Sequence, residues 1–211
     1  MISHNAGLTA SHPYQSMPIE WPVLAKGISF WTQNDTRKQI YLIGNPIGMW
    51  IALAGLSVIV GVAGADILSR RRGFYPLNQD VQRRFYSSTG FFFVGWILHY
   101  IPFFLMGRAL FLHHYMPAQV FSYMVLAAVH GFIFVEGVDG PVSVPGPETR
   151  ARRVQRAVVP VIAYASAVVL MVLHLASFMF FAPLSYGTSA VDVPGLARRK
   201  LLSQWDFHFA K

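Results

Sequence analysis

The chain has 211 residues, of which 54% are hydrophobic and 12% are charged, whereas about 25% of the residues in a soluble domain are charged. This composition, with a mean hydropathy of +0.43, excludes an ordinary soluble protein and indicates an integral membrane protein. We attribute the net charge of +8 to Lys and Arg that orient the chain in the bilayer, so no nucleic-acid partner is expected. The absence of cysteine excludes disulfides, thiolate nucleophiles and cysteine metal sites.

The N-terminal segment, residues 1–46, precedes the first apolar run. It has no basic region followed by a short apolar stretch, so it is not a signal peptide. Its sequence resembles a stretch from the middle of a longer chain rather than the beginning of one. A truncated gene model or an internal fragment is therefore one expectation. Aromatic residues near both chain ends are expected to anchor the tails at the level of the lipid headgroups. These residues are Trp21, Trp31, Trp205, Phe207 and Phe209.

Four apolar stretches are long enough to cross a bilayer, which takes about 20 helical residues each. The predicted spans are residues 47–68, 88–106, 118–135 and 158–182. Glycines are frequent in the first span, at positions 48, 55, 61 and 64, where small residues allow helices to approach closely. The predicted fold class is an all-α membrane protein with four transmembrane helices, lumenal tails and short interfacial segments.

The distribution of arginine predicts the orientation of these spans. The loop 69–87 contains five Arg and the loop 136–157 contains four, whereas the short loop between the second and third spans contains only Arg108. The positive-inside rule places the two Arg-rich loops in the cytosol and both termini in the lumen. Asn34, in the only Asn-x-Thr sequon, is then a lumenal N-glycosylation candidate. The predicted domains are a lumenal or interfacial segment 1–46, a membrane domain 47–182 and a lumenal tail 183–211.

Three histidines, His99, His130 and His174, lie inside predicted spans. A facing pair could ligate a haem, but nothing places two of them at a repeated depth, so hydrogen bonds to neighbouring helices are favoured. The adjacent pair His113–His114 does not suit a helical metal site either. Ligands on a helix are three or four residues apart, whereas neighbours point about 100° apart. We expect no metal and no cofactor.

A polar group in the short loop has two interpretations. Arg108, His113, His114 and Tyr115 could bind an anion at the membrane interface, because Arg presents a planar fork to phosphate oxygens. Alternatively, Arg108 extends to lipid headgroups and the histidines only end the span. The sequence alone leaves both open. No pair of carboxylates stands in a position that suggests acid–base catalysis, so no catalytic residue is assigned.

Four segments together resemble one enzyme family. They are SHPYQSMPIEWPVLAKGISFW, QIYLIGNPIGMW, GWILHYIPFFLMGRALFLHHYMPA and QWDF, in that order. The chain is similar in these to the C-terminal membrane part of the protein O-mannosyltransferases, with Met116 where the family is expected to have Leu. The resemblance implies an endoplasmic reticulum membrane enzyme that moves mannose from dolichyl phosphate mannose to Ser or Thr hydroxyls of secretory proteins. It also implies a homodimer or a heterodimer with another family member.

The resemblance further implies that catalysis lies outside this chain. The family's catalytic carboxylates belong to an N-terminal half that these residues do not contain, so the chain alone is expected to be inactive. Its expected role is to support the lipid-donor site, with Arg108, His113, His114 and Tyr115 near the donor phosphate. The alternative is a non-catalytic membrane subunit that stabilises or regulates a separate transferase.

Overall fold

The computed structural model describes residues 10–77, 79–136, 150–187 and 192–207, without the side chains of 135–136 and 150–159. Within these residues, four helices are long and apolar enough to cross a membrane. They are the first span Pro46–Arg71, the second span Gln79–Leu105, the third span Leu112–Phe134 and the fourth span Pro160–Tyr186. The predicted helical membrane fold with four spans is confirmed.

The regular elements show how the spans begin and end. The second span is an α-helix that passes through one π-helical turn and closes in a 3₁₀ turn at Pro102, which has no amide N–H to donate. The third span begins in another 3₁₀ turn. The α-helices are Pro46–Arg71, Gln79–Arg84, Gly90–Tyr100, Met116–Gly131, Arg150–Tyr186 and Val193–Arg199. The 3₁₀ turns are Pro18–Glu20, Ile101–Leu105 and Leu112–Tyr115, and the π turns are Phe85–Thr89 and Phe132–Glu136.

A β-hairpin, absent from the all-α prediction, precedes the first span. Strand β1, Ile28–Gln33, pairs antiparallel with β2, Lys38–Leu42, and the register shifts between Ser29 and Trp31. The hairpin is local structure in the N-terminal segment and leaves the helical class unchanged. Its turn places Asn34 on the surface.

One of two compact units comprises residues 51–96 and 120–172, which are mainly the membrane-spanning parts of the helices. Its core joins the first, second and third spans through Leu56, Ile59, Phe85, Val125 and Val129. Each of these side chains is at most 4% exposed, so the three spans bury this cluster between them.

Glycine has a packing role at specific positions of this unit. A Cβ placed at Gly55 would lie 3.2 Å from the backbone of Leu126, so the predicted close approach of helices occurs there. A Cβ at Gly61 or Gly64 would meet nothing within 4 Å. A Cβ at Gly95 would overlap the ring of Phe121, which makes this glycine of the second span a contact point that the sequence pattern did not indicate.

The other compact unit comprises residues 1–50, 97–119 and 173–211 and has an aromatic core. Trp21, Trp205 and Phe207 are each 0% exposed there, so the prediction that they anchor the tails in lipid headgroups is wrong. Each indole N–H finds a partner inside the unit: Trp205 Nε1 donates to the Leu24 carbonyl at 2.7 Å, and Trp21 Nε1 to Ser16 Oγ at 2.9 Å. Trp31 remains 44% exposed, and Phe209 lies outside the described residues.

Tyr41 of β2 completes this core against Phe207, with ring centroids 4.9 Å apart. Burial raises the pKa of Tyr41 to about 12, so its hydroxyl stays neutral. A packed core can form here because the buried polar atoms of the tryptophans are hydrogen-bonded within it.

Candidate functional site

The loop between the second and third spans has an extended residue at each end. The 3₁₀ turn that closes the second span ends at Met106, which is extended (φ −90°, ψ 122°). Phe111 is extended again (φ −142°, ψ 157°) and starts the next 3₁₀ turn, Leu112–Tyr115. Between these residues the chain folds back so that Arg108 reaches the turn that begins the third span.

Arg108 is hydrogen-bonded to His114. Arg108 Nη2 lies 2.9 Å from His114 Nε2. Because a guanidinium can only donate, Nε2 must accept, and the ring proton of a neutral imidazole is then on Nδ1. His114 Nδ1 lies 3.0 Å from the carbonyl oxygen of Phe111 and 3.1 Å from its amide nitrogen, so these two contacts alone would suit either tautomer. The bond from Arg108 selects the tautomer in which Nδ1 carries the proton and donates it to the carbonyl oxygen. His114 is therefore a neutral residue that fixes the position of the guanidinium.

The other two predicted site residues have different surroundings. His113 is exposed and stacks on His114, with ring centroids 4.3 Å apart. Tyr115 is only 2% exposed and packs against Tyr100 at 5.3 Å and Trp21 at 6.3 Å. The structure thus groups Arg108 with both histidines, while Tyr115 belongs to the core that supports the turn.

A cavity of about 500 Å³ lies beside Arg108. Residues 15–20 form one side and residues 103–110 the other, apart from Leu105, and Lys26 also lines it. Its volume is within the roughly 300–1,000 Å³ that is usual for small-molecule sites. The three charged groups on its wall are Glu20, Lys26 and Arg108, so it could receive a ligand that is both anionic and rich in hydroxyls.

Two of these charged residues are held by backbone contacts. Lys26 Nζ donates to the carbonyl oxygen of Gln15 at 2.9 Å. The Glu20 carboxylate accepts the backbone N–H of Met17 and so caps the short 3₁₀ turn Pro18–Glu20. Both contacts come from residues near in sequence, which stabilises this wall of the cavity locally.

Sequence reasoning did not identify Lys26 and Glu20 as site residues. One signal was present, since Lys26 is the first Lys or Arg of the chain and stands in an otherwise apolar stretch. The sequence could not show that this stretch folds against the turn after the second span. Trp21 makes that contact, stacking on His114 at 6.2 Å and packing edge-on to Phe103 at 5.3 Å.

The histidines inside the spans include one clear structural pair. His130 Nε2 of the third span lies 2.8 Å from Ser166 Oγ of the fourth span, as the hydrogen-bonding interpretation predicts. In the part of the chain that the structure describes, no group of three or more His, Cys, Asp or Glu side chains could hold a metal ion.

Comparisons with known proteins agree with this architecture. Residues 1–205 match the family model described as the C-terminal four-transmembrane region of protein-O-mannosyltransferase. Dolichyl-phosphate-mannose–protein mannosyltransferase 4 of Schizosaccharomyces pombe is 40% identical over 100% of this chain and 28% of its own length. The Saccharomyces cerevisiae protein of the same name is 46% identical over 64% of this chain and 18% of its own. Protein O-mannosyltransferase 1 of Drosophila pseudoobscura is 35% identical over 100% of this chain and 22% of its own length.

A solved structure is similar over nearly the entire chain. It is the S. cerevisiae protein O-mannosyltransferase Pmt1–Pmt2 complex bound to the sugar donor, with a TM-score of 0.75 and 27% identity over 99% of this chain and 26% of that chain. The chain thus spans only 28% of the length of the S. pombe relative. On the family match and these identities, the chain belongs to the protein O-mannosyltransferase family, of which it carries the C-terminal four-transmembrane region.

Proposed function

We propose that this chain is the C-terminal membrane part of an endoplasmic reticulum enzyme that transfers mannose from dolichyl phosphate mannose to Ser or Thr hydroxyls of secretory proteins. Its part in that reaction is to bind the phosphate-linked sugar of the donor. The main observation behind the proposal is the cavity of about 500 Å³, which Arg108 and Lys26 both line. The names of the relatives, and the sugar donor bound to the similar yeast complex, support the choice of ligand.

The charges of the cavity suit a sugar phosphate. The Arg108 guanidinium can give two parallel hydrogen bonds to phosphate oxygens, and the Lys26 ammonium adds a second positive charge. The Glu20 carboxylate accepts hydrogen bonds and so matches the hydroxyls of a sugar better than it matches a bare anion. A lipid-linked donor would leave its long apolar chain in the bilayer beside the spans.

The three other predicted site residues support Arg108 in different ways. His114 orients the guanidinium through the 2.9 Å hydrogen bond and is a positioning residue. His113 does not line the cavity; because it is exposed and stacked on His114, its proposed role is that of a further hydrogen-bond donor near the phosphate. Tyr115 holds the turn from inside the core. Chemistry on the sugar then depends on carboxylates elsewhere in the enzyme, and a second family member is the proposed dimer partner.

The orientation of the chain belongs to the same proposal. With loops 69–87 and 136–157 in the cytosol, the cavity, both termini and the exposed Asn34 face the lumen. Secretory proteins acquire their sugars on that side, so the donor phosphate would meet the cavity at the lumenal membrane surface.

Donor binding by the purified chain tests this function. In lipid nanodiscs, the chain should bind dolichyl phosphate mannose, and R108A should bind it about 10–100-fold more weakly, because a hydrogen bond to a charged group contributes about 1.5–3 kcal/mol. R108K, which keeps the charge without the fork, should lie between the two. The matched control R198A removes an exposed arginine of the same compact unit and should bind normally. Equal donor affinity for R108A and R198A would remove Arg108 from the donor site.

Competition and activity complete the test. Dolichyl phosphate should compete for the site, whereas uncharged dolichol should not, since the proposed contacts are to the phosphate. The 211-residue chain alone should transfer no mannose to an acceptor peptide. Mannose transfer by the purified chain would show that the catalytic groups lie within these residues.

A further inference from the structure

The connection between the first and second spans is strongly basic. We give the name arginine loop to residues 70–77 and 79–84, which comprise the end of the first span, the start of the second span and the described residues between them, because they contain five arginines. They are Arg70, Arg71, Arg72, Arg83 and Arg84. Two carboxylates lie in or near it, Asp66 and Asp80. All of these residues belong to the compact unit that contains most of the membrane-spanning helix residues, so the loop can be considered without the donor cavity.

Asp66 is already engaged in fixing the base of the arginine loop. It is 2% exposed and accepts hydrogen bonds from Arg70 Nε at 3.1 Å, Gln82 Nε2 at 3.1 Å and Tyr86 Oη at 2.9 Å. The carboxylate thus neutralises Arg70 and ties the end of the first span to the start of the second. The network gives the loop a defined base.

The four other arginines expose their charge to the surroundings of that base. Arg71, Arg72, Arg83 and Arg84 are all exposed. Phe74 and Tyr75, between them in the chain, are 70% and 72% exposed. Exposed aromatic rings of this size next to arginines are typical of protein that lies at the headgroup level of a bilayer.

The position of the loop restricts what these side chains can meet. The first span ends at Arg71 and the next helix begins at Gln79, and both helices belong to membrane spans. A connection this short cannot leave the surface of the bilayer, since an extended chain advances at most about 3.6 Å per residue. The exposed guanidinium groups therefore lie beside lipid headgroups. The neighbouring aromatic rings can reach the boundary between the headgroups and the acyl chains.

We propose that the arginine loop is a binding site for the phosphate-bearing headgroups of anionic phospholipids, with Arg72 and Arg83 as contacts and Phe74 and Tyr75 inserted at the interface. Guanidinium groups bind phosphate with paired hydrogen bonds, and each basic residue near an anionic membrane surface adds to the attraction. The aromatic rings distinguish a lipid from a soluble phosphate. None of these four residues lines the donor cavity.

Lipid retention by the 211-residue chain tests the proposal. The purified chain in a neutral detergent is incubated with phosphatidylserine or phosphatidylcholine, and bound lipid is counted by native mass spectrometry. The chain should retain more phosphatidylserine than phosphatidylcholine. The variant R72Q/R83Q should lose about tenfold or more in affinity, because about 1 kcal/mol for each basic residue corresponds to roughly fivefold.

A matched control removes the same number of charges elsewhere. R37Q/K38Q changes two basic residues of the hairpin, in the other compact unit, and should retain phosphatidylserine like the unaltered chain. F74S/Y75S should weaken phosphatidylserine retention with every arginine present. Helical circular dichroism checks that each variant is folded, and R72K/R83K keeps the charges and should largely restore binding.

Several results would overturn the proposal. One is equal retention of the two lipids by the unaltered chain, and another is equal phosphatidylserine affinity in R72Q/R83Q and R37Q/K38Q. Displacement of the lipid by inorganic phosphate at the same concentration would identify a simple anion site and would also overturn it. Unchanged retention in F74S/Y75S would do so as well, because the aromatic insertion would then have no part in binding.

Discussion

Replacing Asp66 by Asn should destabilise the membrane-spanning unit. Asp66 is 2% exposed and accepts three hydrogen bonds, from Arg70, Gln82 and Tyr86. Asn keeps one acceptor oxygen, carries no charge, and turns an NH₂ group towards donors that need an acceptor. D66N therefore leaves one or two donors without their partner, depending on which carboxylate oxygen the amide nitrogen replaces, and it removes the counter-charge of Arg70.

The size of this effect follows from the number of bonds lost. Hydrogen bonds between helices in a membrane protein average about 0.6 kcal/mol and reach about 1.7. Arg70 is partly open to solvent, with 35% of its side chain exposed, so its ion pair contributes little beyond its hydrogen bond. The loss of one or two bonds and the misplaced amide together should cost about 1–3 kcal/mol.

Equilibrium unfolding in mixed micelles of increasing SDS content measures this cost. Y86F removes one donor and should cost about 1 kcal/mol or less, since the two remaining donors still satisfy the carboxylate. D35N removes the same charge from the exposed hairpin turn and should be nearly neutral. If D66N unfolds at the same SDS fraction as D35N, the Asp66 network does not hold the two spans together.

Three further predictions concern packing, the aromatic core and topology. G95A should unfold more easily by about 1–3 kcal/mol because its methyl group would overlap the ring of Phe121, whereas G61A, with open space around it, should be neutral or stabilising in the same assay. W205F should lower the thermal midpoint, since the loss of its 2.7 Å hydrogen bond leaves a buried carbonyl unpaired at a cost of about 1–3 kcal/mol; a midpoint equal to that of the unaltered chain would contradict this. Asn34, exposed in the hairpin turn, should accept a glycan in microsomes that N34Q does not, as judged by an endoglycosidase-sensitive mobility shift; an unmodified Asn34 would count against the lumenal orientation.

The membrane fold was predictable because hydropathy is a property of contiguous residues. In hydrocarbon the backbone must satisfy its hydrogen bonds within each segment, so a long apolar run determines a helix almost by itself. The ends of the spans were less predictable. The second span extends from Gln79 through a π turn and closes in a 3₁₀ turn, since the polar residues at its start continue the helix beyond the apolar stretch.

The candidate site was predictable only in part. Arg108, His113 and His114 are near in sequence, and a short loop keeps them together whatever the rest of the chain does. His114 is neutral and orients Arg108 because its Nε2 lies 2.9 Å from Arg108 Nη2. The order of residues in the sequence could not predict that distance. Lys26 joins the site only because the N-terminal segment folds beside the turn after the second span.

The sequence by itself determined a membrane protein with four helical spans and, through its ordered motifs, its family. The tertiary structure alone decided which aromatic residues form a core. Trp205 donates to the carbonyl of Leu24 across 181 residues of chain, and both tails are thereby folded into one unit. Interfacial anchors and buried tryptophans have the same local pattern of residues. They differ only in whether a distant segment covers the ring and accepts the indole N–H.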